Sequence, residues 1–235
     1  MKRDLEINLI VGMTRLPIEL DLEEVKKAVV NAEDPPVKLM TFNEKKRREG
    51  EDEVDSGGFS GERFYFDEDG KYNNDFVAIF AGKTTDGGSI QVNYTGDELD
   101  GYIEQQNLVL DLLEYIGVEF DRDECVWEIQ NMLVQGQLPC HFSQRELKKR
   151  LGKDAVYMAE DNAAVRYNYT TESGNEITFQ IFKRGKFSLL SANSLDEVLE
   201  SVDHLIDKLR EVYDDKLPDE EIDMDFKSNR KRDFF

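Results

Sequence analysis

An internal repeat is the feature that most restricts what this chain can fold into, because it predicts two copies of one supersecondary unit. Residues 7–11 (INLIV) and 129–134 (IQNMLV) are apolar runs of strand length, and each carries one asparagine, Asn8 or Asn131. A short segment separates each run from the start of a predicted helix. The sequence therefore predicts two halves that share one order of elements.

Each half is predicted to contain a short helix and a long one. The short helices begin at Asp21 and Ser143, and in both a glutamate follows three residues later, which is the spacing of a capping box. The long helices are marked by apolar residues at three- and four-residue steps across 99–116 and 195–212. A helix with such a stripe is amphipathic, so we expect each long helix to pack on one face of a sheet.

The segments between the helices have the composition of strands. Aromatic and β-branched residues alternate there with Thr, Asn and Gln, in runs at 64–66, 76–80, 90–94, 165–169, 177–182 and 187–190. This alternation predicts an antiparallel sheet with one partly open face. The fold class is therefore α+β, internally duplicated, with each half running strand, helix, several strands and helix.

The two halves differ in length, which sets the predicted domain boundaries. The first repeat spans 1–120 and contains a charged insertion at about 44–75, which is typical of a long loop. The second repeat spans 121–213. The segment 214–235 combines mixed charge with few apolar residues, so we expect a mobile charged tail there.

The formal net charge of −21 restricts the possible partners. Neutralisation of phosphates supplies most of the non-specific affinity of proteins for DNA, so an acidic chain begins at a disadvantage as a DNA-binding protein. Two interpretations remain open. Either the acids coat a protein that works at high salt, where charges are screened, or they lie on a face that points away from nucleic acid. Several lysine clusters leave the first interpretation undecided.

Little in the sequence points to catalysis or to a bound metal. Cys125 and Cys140 lack the spacing of a zinc site or of a disulfide framework, so we expect two free thiols, buried or half-buried. The carboxylates fall in no spaced motif with His, Cys or Gly. An enzyme is therefore the least expected class of protein, and we expect no cofactor. The chain has no apolar run of membrane-spanning length and no apolar signal stretch, so we expect an intracellular, soluble protein.

Short motifs recur in order along both halves. The second half carries 130–134 (QNMLV), 181–186 (IFKRGK) and 191–194 (SANS). The first half carries 20–22 (LDL), 31–35 (NAEDP), 59–61 (FSG) and 95–96 (TG). Together these motifs resemble those of the TATA-box-binding protein (TBP) family. The resemblance implies a saddle, in which a curved antiparallel sheet of ten strands carries helices on its convex side.

The family resemblance also implies a function and a set of site residues. Members of the family catalyse nothing; they bind the minor groove of A·T-rich promoter DNA, kink it with phenylalanine wedges and nucleate assembly of the transcription machinery. Asn8 and Asn131 would donate to minor-groove acceptors near the pseudo-dyad. Further roles would fall to aromatic and basic residues: Phe80 and Phe182 as wedges, Phe59 as a partner of Phe80, and Arg184 and Lys186 near phosphates.

Departures from the family pattern keep other functions open. The second half has Asn162-Ala163-Ala164 in place of the family's FPG, and Leu190-Ser191 in place of its TG. The acidic segment that in the family helps to dock a general transcription factor of cyclin-like fold is reduced to 158–161. A second hypothesis is therefore a TBP-like interaction module that regulates or antagonises transcription without binding DNA. A third is an accessory domain of nucleic-acid processing.

Overall fold

The computed structural model describes residues 2–18, 20–30, 38–41, 61–65, 75–80, 87–96, 99–158, 160, 163–213, 217 and 222–226. Two compact units are present. Unit 1 comprises Met1–Ile10, Gly96–Glu98 and Ile129–Phe235, and unit 2 comprises Val11–Thr95 and Leu99–Glu128. Most of the predicted insertion at 44–75 lies outside the described residues.

The described part of the chain contains four α-helices and eleven strands. The helices are α1 Leu22–Val30, α2 Leu99–Tyr115, α3 Gln144–Leu151 and α4 Leu195–Val212. The strands begin with β1 Lys2–Arg15, β2 Lys38–Thr41, β3 Gly61–Tyr65, β4 Phe76–Phe80 and β5 Ser89–Tyr94. They continue with β6 Glu128–Gln137, β7 Ala155–Val156, β8 Val165–Thr170, β9 Glu176–Ile181, β10 Lys186–Ala192 and β11 Asp223–Phe226.

Unit 2 is an antiparallel sheet with a helix on one face. Its strands follow the order β2-β3-β4-β5, and β5 is followed in the sheet by β1. Val77, Ile79, Ile90 and Val92 are all fully buried. They face one another in the register of β4 and β5, because alternate residues of a strand point to the same side. Helix α2 packs against β5 and covers this side of the sheet.

Unit 1 repeats this plan with the strand order β1-β6-β10-β9-β8-β7. Strands β6, β10, β9 and β8 pair antiparallel. Phe179, Ile181, Phe187 and Leu189 form the centre of the core and are fully buried. Helix α4 contributes Val198, Val202, Leu205 and Leu209 to the same core. The predicted α+β fold class with an internally duplicated antiparallel sheet is confirmed.

A side-chain cap bond forms at two of three helix starts, at Ser194 and at the predicted Asp21 but not at the predicted Ser143. Ser194 Oγ accepts a hydrogen bond from the Glu197 N–H at 3.1 Å and caps α4. Asp21 Oδ1 accepts from the Glu24 N–H at 3.2 Å and caps α1. Ser143 is the N-cap residue of α3 but makes no side-chain cap bond. Helix α3 is held instead by burial of Leu147 and Leu151.

The prediction of a mobile tail over 214–235 is wrong for Asp223–Phe226, which form β11. This strand pairs in parallel with β1, with Met224 opposite Arg3 and Phe226 opposite Leu5. Leu217, Ile222 and Met224 are buried. Apolar residues at alternate positions supply one face to the core, which is sufficient to order a short charged segment.

A bulge in β10 places Ser191 in a backbone conformation that favours glycine. Ser191 has φ 74°, and among the described residues it is the only non-glycine with positive φ. The β10–β6 register shifts between Leu189 and Ala192, on either side of this residue. Leu190-Ser191 was predicted to stand in place of the family's TG. Ser191 therefore has the left-handed backbone conformation that favours glycine, although no glycine is present.

Replacing Ser191 with glycine is expected to raise the free energy of unfolding by about 0.5–1 kcal/mol, because glycine adopts positive φ without the steric penalty of a Cβ. Urea unfolding of Ser191→Gly and of the wild type measures the difference. Ser188→Gly is the matched control, since Ser188 lies in the same strand in regular pairing with Gln135 and Gln180. The control should lose stability; a loss for Ser191→Gly as well would contradict the strain assigned to the bulge.

Candidate nucleic-acid interface

The sheet of unit 1 has one face covered by its core and one face that is not. Along β6, Met132, Val134 and Gly136 are buried, whereas the residues between them are only partly buried. We define the open face of unit 1 as the strand residues that alternate with the core. They are Asn131, Leu133, Gln135 and Gln137 on β6; Lys186, Ser188 and Leu190 on β10; Glu176, Thr178 and Gln180 on β9; Arg166, Asn168 and Thr170 on β8; and Val156 on β7.

Strand register brings the polar residues of this face into rows. Ser188 lies opposite Gln135 on one side and opposite Gln180 on the other. Gln180 lies opposite Arg166, which in turn lies opposite Val156. Directly opposed residues have Cβ atoms about 4.5–5.5 Å apart. The half-buried amides of Gln135 and Gln180 and the exposed guanidinium of Arg166 therefore lie in one row, with Ser188 buried between the two amides.

The open face of unit 1 carries little negative charge, in contrast to the chain as a whole. On β6 to β10 it contains one carboxylate, Glu176, whose Oε1 accepts a hydrogen bond from Asn168 Nδ2 at 3.4 Å. Two further exposed acids of the unit, Asp4 and Glu6, lie at the start of β1. The cations Arg166 and Lys186 are exposed on the face. A surface of this composition can approach a polyanion.

The acids of unit 1 are concentrated on its helix α4. Asp196, Asp203, Asp207 and Glu211 are exposed there, on the side of the helix away from its buried residues. Helix α4 packs against β10 on the core side of the sheet. The acids exposed on α4 and the open face of unit 1 therefore lie on opposite sides of the sheet, as in the second of the two charge interpretations.

Asn131 is half-buried on the open face, and its side chain is oriented by a backbone contact. Its Oδ1 accepts a hydrogen bond from the N–H of Ser191 at 2.9 Å. The carbonyl of Ser191 in turn accepts from Asn175 Nδ2 at 2.7 Å. Because the oxygen of Asn131 is engaged by the bulge, the amide nitrogen is the group left to donate to a ligand.

The structure brings Phe182, Arg184 and Lys186 together in the β9–β10 hairpin. The N–H of Phe182 donates to the carbonyl of Lys186 at 2.8 Å, and the N–H of Gly185 donates to the carbonyl of Phe182 at 2.9 Å. Gln137 Nε2 donates to the carbonyl of Arg184 at 2.7 Å. The hairpin backbone is thus fixed, while the Arg184 and Lys186 side chains are exposed and Phe182 is half-exposed.

Glycine at position 185 is required by the way this hairpin packs. Gly185 has φ 84°. A Cβ on it would lie 2.4 Å from the carbonyl oxygen of Cys140 and 2.5 Å from that of Leu138. The close approach holds the Phe182 turn against the segment that follows β6.

The residues predicted for the first half are placed differently from their counterparts. Asn8 is half-buried, and its Oδ1 is buried without a hydrogen-bond partner among the described residues. The buried positions Ile10, Gly12 and Thr14 of β1, with Leu16 just after it, match Met132, Val134 and Gly136 of β6, with Leu138 just after it. This match makes Leu9, rather than Asn8, the counterpart of Asn131. Phe59 lies outside the described residues.

Phe80 belongs to an aromatic cluster in unit 2. Tyr65, Phe76 and Ala78 are buried together, and Phe80 packs against them. The ring centroids of Tyr65 and Phe76 lie 6.3 Å apart. The guanidinium carbon of Arg63 lies 3.8 Å from the centroid of the Phe76 ring. We call these four residues and Arg63 the Tyr65 cluster. The predicted wedge role of Phe80 stays a prediction.

Sequence reasoning did not single out Arg166, Gln180 or Ser188. Each alternates with apolar residues in a predicted strand, which signals an outward position but not a shared surface. Their row is set by the register of four strands, and a single sequence does not reveal that register.

His204 forms a network with two tyrosines behind the open face. Its ring stacks on Tyr169 with centroids 3.8 Å apart, and its Nε2 lies 2.9 Å from Tyr167 Oη. Burial, together with the charge of Lys208, lowers the pKa of His204 below the ordinary 6.5, although Asp207 and Glu200 act in the opposite direction.

The lowered pKa of His204 predicts a loss of stability in mild acid. As the pH falls below about 6.5 the unfolded state takes up the proton first, so protonation favours unfolding. Urea midpoints measured at about pH 7.5 and about pH 5.5 should decrease more for the wild type than for His204→Gln. His141→Gln is the control, because His141 is exposed. An equal decrease in all three proteins would contradict the role of His204.

Among the described residues, no group of three or more His, Cys, Asp or Glu side chains could hold a metal ion. No described helix is long and apolar enough to cross a membrane. Cys125 and Cys140 are buried free cysteines, as predicted.

Comparison with known proteins relates the chain to one family. Residues 126–212 match the family model described as transcription factor TFIID, or TATA-binding protein, TBP. The fold is similar to that of Methanococcus jannaschii TBP, with a TM-score of 0.63 and 16% identity over 89% of this chain and 99% of that chain. A rolling circle replication initiator protein from Geobacillus stearothermophilus gives a TM-score of 0.35 and 13% identity over 90% of this chain and 85% of that chain. No curated protein sequence matches.

These matches confirm the family resemblance that the motifs predicted. The family model covers the second repeat, where the motifs are most complete. The similarity to the archaeal structure shows that the TBP-like fold extends over most of the chain.

Proposed function

We propose that this divergent TBP-like protein is a transcription factor that binds A·T-rich promoter DNA in the minor groove and nucleates assembly of the transcription machinery. One observation carries the proposal. In a chain of net charge −21, the open face of unit 1 has a single carboxylate on β6 to β10 and otherwise presents amides, hydroxyls, apolar groups and cations. Binding requires no catalysis and no cofactor.

The chemistry of this face suits the floor of an A·T-rich minor groove. A·T and T·A pairs present only acceptors there, adenine N3 and thymine O2, whereas G·C pairs add the guanine amino donor. Asn131, Gln135 and Gln180 carry amide donors on the open face. Leu133 and Leu190 lie on the same face and provide apolar contact with sugars and base edges, which favours a groove without the guanine amino group.

Phe182, Arg184 and Lys186 support distortion of the bound duplex. Minor-groove proteins often insert an apolar side chain between bases, which unstacks a step and bends the helix. Phe182 is half-exposed on a fixed hairpin, and the two cations beside it can neutralise adjacent phosphates. Asn8, Phe59 and Phe80 were predicted as their counterparts in the first half, and the proposal does not depend on them.

Replacing Asn131 with aspartate tests the proposed readout. Aspartate keeps an acceptor for the Ser191 N–H but removes the donor and adds a negative charge, so affinity for an A·T-rich duplex should fall by about tenfold or more. Fluorescence anisotropy measures the affinity, and Asn107→Asp is the matched control. Asn107 is exposed on α2 and is not one of the open-face residues. Equal affinities for both variants and the wild type would contradict the readout by Asn131.

The second candidate, an interaction module that does not bind DNA, is favoured by the acids exposed on α4. Such a surface would attract a basic partner. Docking of a general transcription factor of cyclin-like fold is a further proposal. The segment that would take part in docking is reduced to 158–161 in this chain. Two results together would favour this second candidate. The wild type would bind no duplex, and Asn131→Asp would retain the full regulatory activity of the wild type.

A further inference from the structure

We propose that the contact with DNA is asymmetric: unit 1 supplies the inserted side chain, Phe182, whereas Phe80 is a structural residue of unit 2 and inserts nowhere. This inference rests on the proposed function and specifies which half of the protein carries it. It differs from the two-sided arrangement that the repeat itself predicts.

Phe182 is available for insertion. It is half-exposed and makes no aromatic ring contact with any residue that the structure describes. Backbone hydrogen bonds of the hairpin, at 2.8 Å and 2.9 Å, fix the position of its main chain. Because the ring is not needed to hold the turn, it can leave its place without disrupting the core of unit 1.

Phe80 is half-buried, as Phe182 is, but it packs against a cluster of buried residues. The Tyr65 cluster lies on the side of β4 opposite the core residues Val77 and Ile79, since Phe76, Ala78 and Phe80 alternate with them. Tyr65, Phe76 and Ala78 retain only 7%, 6% and 6% of their accessible surface. A Phe80 ring inserted between bases would have to leave this packed cluster, so part of the energy gained by insertion would be lost.

The cations show the same asymmetry. In unit 1, Arg184 and Lys186 are exposed beside Phe182. In unit 2 the β4–β5 hairpin that contains Lys83 lies outside the described residues, and the described cation on the corresponding side is Arg63, whose guanidinium lies 3.8 Å from the centre of the Phe76 ring. A guanidinium stacked on an aromatic ring in a buried cluster stabilises that cluster and is less able to reach a phosphate.

The position of the asparagines is an independent observation in the same direction. Burial in β1 and β6 makes Leu9 the counterpart of Asn131. The amide donor on the open face of unit 1 therefore has an apolar counterpart in the first repeat. The side-chain oxygen of Asn8 is buried without a described hydrogen-bond partner, whereas that of Asn131 accepts from the Ser191 N–H.

Paired alanine variants test the asymmetry. Affinity for an A·T-rich duplex and the thermal unfolding midpoint are measured for Phe182→Ala, Phe80→Ala and the wild type. Phe182→Ala should weaken binding by about tenfold or more and leave the midpoint nearly unchanged, since a stacked or inserted aromatic is worth a factor of this size. Phe80→Ala should lower the midpoint and bind with wild-type affinity at a temperature where it is folded.

Two outcomes overturn the inference, and they are distinguishable. If Phe80→Ala remains folded and loses as much affinity as Phe182→Ala, the contact is two-sided and the proposed function stands without the asymmetry. If the wild type binds no duplex, the proposed function fails and the inference with it. Should Phe80→Ala not fold, Phe80→Leu retains most of the apolar volume and gives the same comparison with Phe182→Leu.

Discussion

Ending the chain at Tyr213 is expected to lower the free energy of unfolding of unit 1 by about 3 kcal/mol or more. The truncation removes β11 and with it the buried side chains of Leu217, Ile222 and Met224. Burial of a side chain of this size contributes about 1.5–3 kcal/mol before the entropy of ordering the segment is subtracted. The truncation also exposes the edge of β1 at Lys2–Leu5, which pairs with β11. Urea unfolding monitored by circular dichroism measures the change.

A second truncation provides the control. A chain that ends at Phe226 keeps β11 and every residue that the structure describes. It should unfold at the same urea concentration as the full chain. If the chain ending at Tyr213 is as stable as the one ending at Phe226, β11 is not part of the core of unit 1.

Replacing Gly136 with alanine is expected to destabilise unit 1 by about 1–3 kcal/mol, the usual range for overpacking a core. A Cβ at this position would lie 2.4 Å from Phe187 Cζ and 3.0 Å from Leu5 Cδ2. The Phe187 ring is fully buried, opposite Gly136 in the β6–β10 register, and packs against Phe179 at 6.1 Å. The ring therefore has little room to move. Thermal unfolding of Gly136→Ala measures the effect.

A double variant distinguishes overpacking from other causes. Phe187→Leu removes the ring that the new methyl group would strike, so Gly136→Ala should be less destabilising in that background. If the losses of stability caused by the two substitutions simply add in the double variant, the close contact between Gly136 and Phe187 is contradicted. The test also bears on the candidate interface, because Gly136 lies between the open-face residues Gln135 and Gln137.

The elements that could be predicted from the sequence are those with a strong local signal. The stripe across 195–212 and the cap at Ser194 define α4 because apolar periodicity and capping depend only on neighbouring residues. The hairpin of Phe182 was also predictable, since Gly185 and the flanking alternation mark a tight turn between strands. Both elements lie within the residues that the family model matches.

Strand β11 could not be predicted because its signal is short and charged. Ile222 and Met224 are only two alternating apolar residues in an acidic segment, and such composition is more typical of a solvated tail. The strand is ordered by contacts with β1 and α4, which are distant in sequence. Tertiary contacts of this kind override weak local preference.

The candidate site was predictable in the second repeat and less so in the first. Asn131 lies in a strand whose alternation is regular from Met132 onward. In β1 the buried positions change from Leu5 and Ile7 to Ile10 and Gly12, so the side of the strand switches at Asn8 and Leu9. A one-residue change of this kind turns every following side chain to the other face, and apolar residues on both sides hide it in the sequence.

The measurement that tests the central claim most directly is the affinity of the full chain for matched A·T-rich and G·C-rich duplexes across a salt series. The open face of unit 1 predicts tighter binding to the A·T-rich duplex by about tenfold or more, since guanine adds a donor to the groove floor. Neutralisation by Arg166, Arg184 and Lys186 predicts a slope of log affinity against log salt of about −3 or shallower. Equal affinity for the two duplexes, or no binding at any salt concentration, would contradict the account.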